Sequence, residues 1–122
     1  MSSTPIPPRA LTDLETSVVT KLLSSNAPGA AEYLAQVPYS QVVATWGVGS
    51  PSVDLAVRPG AVQASGSPDG IFASGAVTNH NGSPIGEVIL WVEHGWLSGI
   101  EYAWYTDERP HTLPEPGQVE LL

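Results

Sequence analysis

The 122-residue chain is apolar over 42% of its length, contains no cysteine and carries a formal net charge of −8. That length suits one domain with one core, the apolar share argues against global disorder, and the missing thiols exclude disulfides and thiolate metal sites. Twelve carboxylates face only four cations, Arg9, Lys21, Arg58 and Arg109, too few to displace the counterions of a nucleic acid or to hold an anionic membrane surface.

Residues 1–10 (MSSTPIPPRA) contain three prolines and no apolar signal region, so they read as a mobile tail with polyproline character. With no secretory signal and no run near the ~20 apolar residues of a membrane span, the protein is expected in the cytoplasm. Residues 11–122 are expected to form a single domain. A first helix starts at a capping box, Thr12 and Glu15, and carries Leu11, Leu14, Val18, Val19, Leu22 and Leu23 at helical spacing. Asn26, Pro28 and Gly29 end it. A second helix spans 30–37, with Leu34 and Val37 inward and Pro38 as its stop.

Beyond Pro38 the apolar period changes from helical to alternating, which predicts strands over 41–46, 52–58, 71–78, 85–93 and 96–105. Asn81-Gly82 and His94-Gly95 mark tight turns. The tail beyond Thr106 holds Pro110, Pro114 and Pro116 and reads as an irregular surface segment, with Val119 and Leu121 tucking back. Helices that precede hairpin-linked strands give an α+β fold: two N-terminal helices on one face of a roughly five-stranded antiparallel meander. The expected packing sets Leu14, Val18, Leu22 and Leu34 against Val53, Leu55 and Val57.

Several short runs carry a family resemblance: Leu22-Leu23, Ala27-Pro28-Gly29, Ser52-Val53-Asp54-Leu55, Gly82-Ser83-Pro84-Ile85, Trp96 through Tyr102, and Leu113-Pro114-Glu115-Pro116. In these the chain resembles an uncharacterised family of small bacterial proteins of about this length. The resemblance implies an α+β fold and no activity. Some members carry a cysteine-rich turn before the Pro-Ser-Val-Asp-Leu segment; here Trp46, Val48 and Ser50 stand in its place, so no thiolate chemistry carries over.

No catalytic constellation is legible. Glu93-His94 lies at a hairpin tip, and Glu101, Asp107, Glu108 and His111 are the other acid–base candidates. Strand neighbours point to opposite faces and hairpin tips are solvated, so an acid–base hydrolase is poorly supported. The three histidines show no ligand spacing, and neither a metal nor a cofactor is expected. Gly47-x-Gly49 lacks the rest of a dinucleotide motif.

The aromatic residues say more. Trp91, Trp96, Tyr102, Trp104 and Tyr105 lie close together in the chain. A two-residue turn at His94-Gly95 would pair Glu93 with Trp96, Val92 with Leu97, Trp91 with Ser98, Ile89 with Ile100 and Glu87 with Tyr102. One face of that hairpin would carry Trp91, Trp96, Tyr102 and Trp104, the candidate binding residues. That face either fills a core under the C-terminal tail or meets another surface, most simply a second copy in a homodimer. The scarcity of lysines to blunt sheet edges points the same way. Two functions are expected from these features. The first is a non-catalytic interaction module, immunity- or antitoxin-like, that binds a basic protein through its acidic surface. The second is a small-molecule or sugar-binding domain that uses the aromatic cluster.

Overall fold

A computed structural model describes residues 3–122. Strands β1 (Thr4–Ala10), β2 (Ser40–Thr45), β3 (Val53–Val57), β4 (Gly70–Thr78), β5 (Pro84–Glu93), β6 (Trp96–Trp104) and β7 (Val119–Leu121) form one sheet. Their order across it is β1-β2-β3-β6-β5-β4-β7, and each neighbouring pair is antiparallel. Helices α1 (Asp13–Leu22) and α2 (Ala30–Gln36) lie between β1 and β2 in the chain. This overturns the α+β expectation of two helices on a five-stranded meander. Among the described residues the fold is mostly sheet, with seven strands and two short helices. It is not a meander either, because β3 pairs with β6, which leaves β4 on the far side of β5.

The two additional strands come from the chain ends. Thr4–Ala10, expected as a mobile tail, pairs with β2 as the outermost strand. Its prolines argued against a strand, since proline cannot donate to a ladder; an edge strand needs donors on one side only and tolerates them. The register breaks between Pro5 and Arg9, and Ile6 packs against the core. At the other end Val119–Leu121 adds to the free edge of β4, with Val119 buried. Gly75 on β4 permits this close approach, because a Cβ there would lie 2.4 Å from Val119 Cγ1.

Helix α1 begins as its sequence dictates. The Thr12 side chain accepts from Glu15 N–H at 3.1 Å, and Glu15 accepts from Thr12 N–H at 2.8 Å. Arg9 joins this box with bonds of 2.8 and 3.1 Å to the two Glu15 oxygens, tying β1 to the helix. Burial alone would push the Glu15 carboxyl up, but Arg9 and Thr12 outweigh it and hold it below the usual range. The guanidinium of Arg9 is raised by its hydrogen bond to Glu15.

Val18, Val19, Leu22 and Tyr33 from the helices join Val42, Val53, Val77, Val88, Leu90, Leu97 and Ile100 from the sheet in one core. Val53 and Leu55 pack there as expected, while Leu14 and Val57 lie at its margin. Leu34 does not: it is 39% exposed, and α2 turns Ala30, Tyr33 and Gln36 inward instead. Tyr33 meets Phe72 edge-on with centroids 4.7 Å apart. Gln36, fully buried, donates to Val62 O at 3.0 Å and Gly95 O at 2.8 Å and accepts from Leu97 N–H at 3.0 Å. An amide that binds main-chain groups of the β5–β6 turn (Gly95 and Leu97) and of the β3–β4 connection (Val62) outweighs the burial of Leu34 and sets the helix's rotation.

The β5–β6 register departs from simple hairpin counting. Glu93 pairs with Trp96 and Val92 with Leu97, but Trp91 then sits opposite Gly99. Ser98 is an extra residue, a bulge. Past it, Leu90 faces Ile100, Ile89 faces Glu101 and Val88 faces Tyr102. A one-residue slip moves side chains to the other face, so Ile100 and Tyr102 enter the core and Glu101 comes to the opposite face beside Ile89. Ile89 is only 8% exposed yet lies outside the core cluster, as a residue on that other face should.

Candidate functional site

The core lies on the side of the sheet that α1 and α2 cover. Asp54, Gly99 and Trp91 form a cross-strand row over β3, β6 and β5 on the other side, with Glu101 and Ile89 in the adjacent row. Gly99 makes a slot of this row. With no side chain of its own, it leaves open the space between Asp54 on one flank and Trp91 on the other. A Cβ there would sit 3.3 Å from Val53 O and 3.7 Å from Trp91 Cβ.

Trp46, just past the end of β2, closes the slot on the Asp54 side. Its indole N–H donates to Asp54 Oδ1 at 2.9 Å, and Ser3 Oγ donates to Asp54 Oδ2 at 2.5 Å. On the opposite flank the Trp91 indole N–H donates to Glu101 Oε1 at 3.1 Å. The resulting concavity, about 460 Å³, is lined by Trp46, Asp54, Trp91, Glu93, Ser98 and Gly99. Two indoles and two carboxylates thus surround a glycine floor, and Glu101, bound to Trp91, lines an adjoining concavity with Trp46 and Asp54. A cation fits such a place, since aromatic faces and carboxylates both attract it. So does a sugar, whose ring stacks on indole while carboxylates accept its hydroxyls.

The four expected binding residues do not share one face. Trp91 lines the slot, whereas Tyr102 is buried in the core, where burial raises its phenol pKa. Trp104, 39% exposed, lies at the end of β6, opposite Gly86. Trp96 is half-buried beside the β5–β6 turn, opposite Glu93. Grouping aromatics by nearness in the chain missed Trp46 and Asp54, which the β2–β3 connection brings to the slot. The signal for them was Gly99: a glycine inside an otherwise bulky strand marks a close approach or an open floor.

The acid–base candidates disperse. Exposed His94, left-handed at φ 52, lies 3.8 Å from Asp69 and 3.7 Å from Glu93. Asp107, Glu108 and His111 are exposed on the C-terminal segment, and Glu101 borders the slot. Among the described residues no group of three or more acids and histidines converges as a metal site would require. No helix among them is long and apolar enough to cross a membrane.

Comparison with protein-family models, curated proteins and solved structures yields no match.

Proposed function

We propose that the protein is a non-catalytic binding module of the cytoplasm that takes a cationic side chain of a basic protein into the slot between Trp46 and Trp91. The observation that carries this reading is the coupling of each indole to a carboxylate, Trp46 to Asp54 and Trp91 to Glu101, on the helix-free face. An entering ammonium or guanidinium gains from the rings and from Asp54, Glu93 and Glu101 together. The net charge of −8 steers a basic partner toward the surface. A second copy would bring like charge to the same place, so a basic protein suits the face better than a homodimer does. An immunity- or antitoxin-like role, in which a small acidic chain masks a basic one, follows this chemistry.

The test is a titration of intrinsic tryptophan fluorescence with hexa-arginine and hexa-lysine. Binding should weaken steeply between about 50 and 300 mM salt, and by roughly tenfold in Trp91→Ala. A flat signal, or equal binding by wild type, Trp46→Ala and Trp91→Ala, rejects the slot. The same indoles support a second reading, a neutral sugar. A response to oligosaccharides that ignores salt while the peptides give none would favour it.

A further inference from the structure

The sheet is open at a second place, beside β6. β3 pairs with β6 only at Val53–Ile100 and Asp54–Gly99, after which the connection from Trp46 to Ser52 departs from it. Along a strand, alternate residues turn their main-chain groups to the same side. Tyr105 N–H donates to Ile85 O at 2.9 Å, so Ala103 and Glu101 also face β5, and Tyr102 and Trp104 face the gap. Ser52 Oγ accepts the Tyr102 N–H at 2.9 Å in place of a strand. The Tyr102 carbonyl and both main-chain groups of Trp104 have no protein partner among the described residues.

This edge borders a cleft of about 370 Å³ whose lining includes Trp46, Ser50, Ser52, Tyr102, Trp104 and Arg109. Arg109 donates one bond, to Val48 O at 3.1 Å, and pairs with no carboxylate among the described residues. In a chain with twelve carboxylates and four cations, an arginine that no carboxylate approaches to ion-pair distance, even with Asp107 and Glu108 before it in the chain, leaves a planar donor fork at the mouth of the cleft open to an outside anion. Glu101 also lines the cleft, with Oε1 already taken by Trp91. Its charge repels acidic side chains, so the occupant carries its negative charge at one point only.

We infer that the cleft receives the free C-terminus of an apolar peptide. Its last two or three residues pair with β6 at Tyr102 and Trp104 as a short added strand. Its terminal carboxylate lies on Arg109. Trp46, Tyr102 and Trp104 line the space for its side chains. The site shares Trp46 and Glu101 with the margin of the cationic slot but takes a ligand of the opposite charge.

The experiment is amide NMR of the full chain titrated with acetyl-Ala-Ala-X peptides, X being Leu, Val or Phe, each as free acid and as carboxamide. The acids should shift the Trp104 amide and the Trp46 indole signals, and the carboxamides should bind at least about tenfold more weakly. Arg109→Gln should abolish the difference between acid and amide. No shift at millimolar peptide for any X overturns the inference. So does equal binding of acid and amide by wild type, a comparison that needs no variant, or an acid preference that survives Arg109→Gln.

Discussion

The two faces of the sheet are woven from the same strands but handle polar groups in opposite ways. Under the helices Gln36 is sealed, and its three partners, Val62 O, Gly95 O and Leu97 N–H, are all main-chain groups. Across the sheet, the Trp46–Asp54 and Trp91–Glu101 bonds join side chain to side chain and stay only part-buried. A fixed backbone partner makes a polar residue structural. A side-chain partner at the surface can be exchanged, which is what a binding site requires.

Gln36→Leu should break the first half of this contrast most severely. It keeps the volume but strands the buried Leu97 N–H, worth about 1–3 kcal/mol when left unsatisfied, whereas Gly95 O keeps its bond from Ala64 N–H at 2.9 Å and Val62 O lies near solvent. A loss of about 2–3 kcal/mol is expected from denaturant unfolding; a loss below about 1 kcal/mol would mean that water replaces the amide and that the helix face is not sealed. The Arg9–Glu15 pair lies between the extremes, with side chains 40% and 9% exposed. Glu15→Gln should cost about 1–2 kcal/mol at neutral pH, after discounting for the solvated arginine. Because the folded carboxyl sits below its ordinary value near 4.5, the pair's contribution is whole above that value and is lost as pH falls through the lowered one. Wild type and Glu15→Gln should therefore converge in acid, and a gap that stays constant below pH 4.5 would contradict the pairing. Smallest is Trp91→Ala, on the open face, at about 1 kcal/mol of stability. A thermal scan that showed an unfolded protein would place Trp91 in the core instead.

What the sequence revealed was local. The central strands, the Thr12–Glu15 box and the inward positions Val18, Leu22, Val53 and Leu55 follow from spacing and capping within a few residues. What stayed hidden depended on partners far along the chain. The Ser98 bulge reverses the faces of Ile100 and Tyr102, and nothing near Ser98 announces it, since register is decided by the strands on both sides. Leu34 outranks Gln36 on any hydrophobic scale, yet three distant main-chain groups claim the glutamine. β1 was obscured by composition: prolines that exclude a central strand are permitted at an edge that only tertiary structure defines. The slot suffered in the same way, because Trp46 and Trp91 lie 45 positions apart in the chain and meet only through the β3–β6 pairing.

The prolines of β1 also bear on how the protein behaves in concentrated solution. Exposed strand edges recruit other chains by offering rows of amide donors, and many proteins deter this with lysines. Here Pro5, Pro7 and Pro8 remove three donors from the seven-residue outer strand, and the opposite edge is a strand of only three residues. Repulsion between charges weakens as salt rises or carboxylates protonate. A missing N–H can be neither screened nor titrated, so this barrier to edge-to-edge polymerisation should persist in high salt and in acid, where the net charge of the chain no longer keeps copies apart.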